Sequence, residues 1–142
     1  MNDYVMYKKL RKEVKKVCSL IILRYKDKSS ITGACCKDKI FIIGPQLCHW
    51  EYSLTLLHEM GHWILKHNIN LNHYLKYRKK CEMDAWITGL KWAMQYGFKI
   101  TPAVINCAAT STKEVYHIKD KTFQLFKKRI KDLSLTMSSC SL

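Results

Sequence analysis

The chain has 142 residues, 48% of them hydrophobic, and a formal net charge of +14, a length that suits one domain over 1–142 with a single buried core. No apolar run reaches the length of a membrane span, and a Lys-rich start without an apolar segment is not the pattern of a secretory signal. Seven cysteines, odd in number, without zinc-finger spacing and with Cys35 beside Cys36, speak against a disulfide framework and for reduced thiols in a cytoplasmic protein.

Met6, Leu10, Val14 and Val17 recur on one stripe of residues 3–18, so the first 19 residues are expected to form an amphipathic helix. Leu20 to Tyr25 is apolar and β-branched enough for a strand, and 26–30 is a polar turn. Ile31 to Cys36 and Lys39 to Ile43 read as a hairpin turning at Lys37-Asp38 and ended by Gly44-Pro45. A helix follows from about Trp50 to Asn68. Leu54, Leu57, Gly61, Ile64 and Leu65 share one face of it, and Leu56, Met60 and Trp63 form a second apolar patch. A polar loop to Lys80 leads to a second helical pattern, from Glu82 to about Tyr96, stopped by Gly97. Thr101-Pro102 is an N-cap and N1 pair that opens another helix. The last helix runs from about Asp120 to Leu133 with Phe123, Phe126, Ile130 and Leu133 inward, and 134–142 is expected to fray. A helix, a small antiparallel sheet and then further helices make an α+β fold.

The second predicted helix carries His58-Glu59-Met60-Gly61-His62, an H-E-x-x-H pattern. At 100° per residue the two imidazoles lie about 40° apart, one turn from each other, with Glu59 bordering them. That is the spacing of a zinc site with its own general base. His67 falls about 180° from His58 on the same wheel, which makes it a surface or helix-capping residue and not a ligand. A third His six residues after His62 would mark a metzincin, but that position is Asn68, and Leu65 stands where the pattern wants Gly.

A catalytic zinc takes three protein ligands and keeps one position open. Glu82 and Asp84 are the downstream candidates. Glu82 shares a helix face with Trp86, Gly89, Leu90 and Ala93, and the small residues there allow close packing on the first helix. Asp84 points about 160° away, with Thr88 and Lys91, where it orients a ligand or favours the helix N-terminus.

H-E-x-G-H followed some twenty residues on by E-x-D-x-W resembles the ImmA/IrrE-type metallopeptidases of phages and mobile elements. The family pattern is close to E-A-D-x-W-A. The chain has Glu82-Met83-Asp84-Ala85-Trp86-Ile87, so Glu, Asp and Trp match while Met83 and Ile87 replace alanines. The resemblance spans about residues 30 to 100. It implies a zincin-like fold, Zn²⁺ held by His58, His62 and Glu82, and Glu59 as general base. A rival register would make Asp84 the ligand; the Trp match and the helical wheel favour Glu82. The resemblance further implies a regulatory protease in the cytoplasm of a bacterial host, cutting a helix-turn-helix repressor. In such folds the sheet lies beside the zinc helix, and an edge strand, here Ile31 to Cys36 or Lys39 to Ile43, can pair with an extended substrate.

Oxyanion stabilisation needs a further donor, and Tyr116 and His117 qualify by residue type. Basic residues cluster at 8–16, at 76–80 (Lys76, Arg78, Lys79, Lys80) and at 127–131. In the terminal helices the charges interleave with an apolar stripe and read as solvated faces. The 76–80 cluster lies between the two ligand helices and is a candidate cleft rim. No motif for nucleic acid accompanies this charge, so such a partner is not favoured. The rival functional reading is a zinc-binding module that contacts a repressor or nucleic acid without catalysis. The intact Glu59 argues against it, because a binding scaffold does not need a base.

Overall fold

A computed structural model describes residues 2–24, 31–44 and 49–140, with the side chains of all but Arg24 and 136–140. Its first helix, α1 (Asp3–Lys15), starts where the Asn2 side chain accepts a hydrogen bond from the Val5 amide. That satisfies one of the free N–H groups of the first turn. Met6, Tyr7, Leu10 and Val14 are its buried face. The helix stops earlier than expected, so Val17 leaves the stripe and is exposed.

Three strands follow: β1 (Ser19–Arg24), β2 (Thr32–Cys36) and β3 (Lys39–Gly44). The hairpin of β2 and β3 forms as expected, turning through Lys37 at a left-handed φ of 47°. The sheet is not antiparallel throughout. Its order is β1-β3-β2, with β1 parallel to β3 from Ser19↔Lys39 to Arg24↔Gly44. The reason lies in β3, whose Ile40 and Ile42 are fully buried and belong at the centre. β2 is mostly exposed and takes the edge. The expected turn at 26–30 and the stop at Pro45 lie outside the described residues.

Among the described residues the remaining elements are helical: α2 (His49–Ile64), α3 (Leu71–Lys76), α4 (Arg78–Met94), α5 (Pro102–Tyr116) and α6 (Asp120–Cys140). Six helices and a three-stranded mixed sheet therefore give an α+β protein. The loop expected up to Lys80 contains α3 and the first turn of α4. The tail expected to fray continues α6 to Cys140, and Ser141 and Leu142 lie outside the described residues. Thr101 caps α5 through its hydroxyl, which accepts from the Val104 amide, and Pro102 opens the first turn. No helix among the described residues is long and apolar enough to cross a membrane.

α2 is the hub. It packs on α4 above all, then on α1, β2 and β3. Two glycines bring the α2 and α4 backbones together. A Cβ at Gly61 would lie 1.9 Å from the Ala85 carbonyl oxygen, and one at Gly89 would lie 1.9 Å from that of Leu57. Only hydrogen fits at either place. Leu56, Leu57, Leu90 and Ala93 are fully buried around this contact, with Phe126 and Ile130 of α6 completing the core beyond it.

Candidate metal centre

The helical repeat puts His58 and His62 one turn apart on α2, and the tight α2–α4 contact brings Glu82 against both. His58 Nε2 lies 3.0 Å from Glu82 Oε2 and 3.2 Å from His62 Nε2; His62 Nε2 lies 3.4 Å from the same carboxylate oxygen. Bonds of about 2.0–2.1 Å arranged as a tetrahedron give edges of about 3.3–3.4 Å. The three donor atoms thus stand near the spacing that a small divalent cation imposes, and the group can hold a metal ion. Asp84 is not part of it. Its carboxylate pairs with Lys80 at 2.8 Å and with Arg129 at 3.3 Å, on the outer side of α4.

The two acids at the centre are pushed in opposite directions. Burial works to raise the Glu82 carboxyl, but hydrogen bonds to His58 and His62 outweigh it and hold Glu82 well below the usual carboxylate range. For Glu59 burial dominates over the lowering pull of the two histidines, so its carboxyl is raised. The same environment thus favours the anion at Glu82 and the protonated form at Glu59.

Each group around the histidines is held by something different. Trp86, one turn beyond Glu82, stacks on the His58 ring with centroids 4.5 Å apart and planes inclined by 31°. The Tyr74 hydroxyl, from α3, donates to Glu82 Oε1 and leaves Oε2 to face the imidazoles. Burial and this bond raise the Tyr74 phenol, so it stays a donor. His67 is buried, with its Nδ1 2.8 Å from His62 Nδ1. That corrects the expectation of a surface or capping residue. The wheel assumes an unbroken helix, but α2 ends at Ile64 and the chain reverses at Lys66, whose φ is 60°. The same early stop leaves Ile64 and Leu65, expected in the core, exposed.

A cleft of about 610 Å³ opens beside the cluster, walled by β2, α2, α3, α4 and α5. Ile31, Leu54, Trp86 and Val115 make much of its lining apolar. Glu59 reaches it beneath β2 at Gly33, where a Cβ would lie 2.8 Å from Glu59 Cγ and 2.9 Å from Oε1. Of the basic cluster only Arg78 lines this cleft; its guanidinium stands 5.2 Å over the Tyr116 ring. Lys76, Lys79 and Lys80 border a separate depression that also takes in Arg78, so of the expected rim one residue reaches the cleft. Tyr116 lines the cleft and its phenol is raised by burial and by Glu82. His117 is exposed and ends α5 in a left-handed conformation, away from the cleft. His67, Tyr74 and Gly33 escaped the sequence reading. Tyr74 and Gly33 carry no motif, and the signal for His67 is hidden because Lys66 occupies a turn position normally marked by Gly.

Comparison of the chain with protein-family models, with curated proteins and with solved structures gave no match.

Proposed function

We propose that the chain is a zinc-dependent endopeptidase of the ImmA/IrrE type, with a zincin-like fold, that cuts a regulatory protein such as a helix-turn-helix repressor. One observation carries the reading: His58, His62 and Glu82 converge on a single point at coordination spacing, with a buried acid from the same H-E-x-x-H segment at the floor of an open cleft. A bound zinc ion supplies Lewis acidity, which acidifies water and polarises a carbonyl group. Glu59 takes the proton of the attacking water and delivers it to the leaving amine. Burial raises the Glu59 carboxyl, which strengthens it as the acceptor of the water proton. Tyr116, kept protonated on the cleft wall, donates to the developing oxyanion. β2 is an edge strand along the cleft, so an extended peptide can add to it by backbone hydrogen bonds.

The test incubates zinc-loaded wild type and Glu59→Gln with a library of peptides and with helix-turn-helix repressors, reading cleavage by mass spectrometry and metal content by elemental analysis. Both proteins should hold one zinc, and only wild type should cut. Equal cutting by the two would remove Glu59 from its role. One zinc with no cutting by either, together with steeply salt-dependent DNA binding, would favour a regulatory module over an enzyme.

A further inference from the structure

Helices α2 and α4 end by the same backbone device. At the end of α4 the Gly97 N–H donates to the Met94 carbonyl and the Phe98 N–H to that of Ala93, with Gly97 at φ 93°. At the end of α2 the Lys66 N–H donates to the Trp63 carbonyl and the His67 N–H to that of His62, with Lys66 at φ 60°. Both are Schellman motifs, which fold the residue after the left-handed position back onto the residue five before it. That returning residue is ordinarily apolar, as Phe98 is. In α2 it is an imidazole, and the residue it meets is the metal ligand His62.

We propose that His67 is a positioning residue for the metal centre: it accepts the Nδ1–H hydrogen bond of His62 and so fixes which nitrogen of His62 faces the metal. The inference rests on the metal-site reading above. His62 turns Nε2 toward Glu82 and His58, and an imidazole that ligates through Nε2 carries its proton on Nδ1. That N–H points at His67 Nδ1, 2.8 Å away. His67 therefore keeps a lone pair on Nδ1 and its own proton on Nε2. The turn that presents it is anchored, because the Asn68 side-chain amide donates to the Lys37 carbonyl. His58 is held differently. Its Nδ1 is buried without a hydrogen-bond partner among the described residues, and ring stacking on Trp86 orients it. Of the two histidine ligands, then, only His62 has its tautomer set by a side chain of this kind.

The experiment titrates metal-free wild type, His67→Phe and His67→Asn with Co²⁺, reading affinity and the visible spectrum, and records the melting temperature of each metal-free protein. Asn offers an acceptor oxygen at the position of Nδ1, whereas Phe fills the space and accepts nothing. His67→Phe should lose about 10- to 100-fold in Co²⁺ affinity, the usual effect of removing such an outer partner. His67→Asn should stay within a few-fold of wild type. Wild-type affinity in the Phe variant would overturn the role. So would equal losses in the two variants that follow their melting temperatures, since that is how a packing role behaves. A wild-type protein that takes up no Co²⁺ would overturn the metal-site reading itself, and the role of His67 with it.

Discussion

Gly89→Ala tests whether the closeness of α2 and α4 builds the metal centre. The new Cβ would sit 1.9 Å from the Leu57 carbonyl oxygen and 2.7 Å from its carbon, and both atoms are backbone that cannot rotate away. Reaching an ordinary 3.4 Å contact means opening the helix pair by about 1.5 Å at that level. Overpacking of this kind costs about 1–3 kcal/mol, and the better helix propensity of Ala returns about 1 kcal/mol. The fold should survive, with a melting temperature lower by no more than about 7 °C. The metal centre is less forgiving. Glu82 lies two turns before Gly89 on α4, and even a quarter of the displacement carried there exceeds the roughly 0.2 Å that coordination distances tolerate. Co²⁺ affinity should therefore fall at least about tenfold, more than the loss of stability alone would suggest. The assay pairs calorimetry of the metal-free protein with Co²⁺ titration. Wild-type affinity in a folded Gly89→Ala protein would refute the reasoning, because the two helices would then not need backbone contact to bring Glu82 to the histidines.

Gly33→Ala should leave metal binding intact and depress peptide cleavage, since its Cβ would crowd Glu59 Cγ and Oε1 and Thr55 Cγ2; unchanged cleavage would mean Glu59 does not use that space. Glu82→Gln should lose tight metal binding. Asp84→Asn, which breaks only surface pairs with Lys80 and Arg129, should keep it and shift the melting temperature by no more than about 2 °C; the reverse pattern would transfer the ligand role to Asp84. The Cys35 thiol is pushed up to about 12 by burial and by the nearby Glu59. Its reactive thiolate is thus scarcer in the fold at any pH below that value, and at pH 8 iodoacetamide should label Cys35 roughly a thousandfold more slowly than in the urea-unfolded chain. Folded-state labelling should speed up tenfold per pH unit, and equal folded and unfolded rates would contradict the burial.

Local signals carried most of what could be read from the residues alone. The H-E-x-x-H spacing, the Thr101-Pro102 cap and the Lys37 hairpin each lie within a few neighbours, and each element formed where its signal sits. The wheel was enough to put Glu82 and Asp84 on different sides of α4, because both lie inside one regular helix. It failed for His67, the residue just after a reversal made by a lysine in a glycine-like conformation. The parallel pairing of β1 with β3 was out of reach for another reason. Ser19 and Lys39 are direct neighbours in the sheet although β2 lies between them in the chain, and no pattern in either segment announces a distant neighbour. Tyr74 belongs to the same group: it reaches Glu82 through a short helix in what reads as a polar loop.

The hydrogen bond from Asn68 to the Lys37 carbonyl joins the turn after α2 to the turn between β2 and β3. Mechanically it is a rivet at one end of two arms. One arm is the strand from Ile31 to Cys36, the other the helix that runs from Glu51 past Thr55 and Glu59, and the cleft is the space between them. The strand arm is also stitched to β3 from Thr32 to Cys36 and touches the helix arm at Gly33, where a Cβ would meet Thr55 and Glu59. The mouth is thus braced along its length as well as riveted at one end. An engineer reshaping this cleft would trim the side chains that line it and leave Asn68 and Gly33 alone.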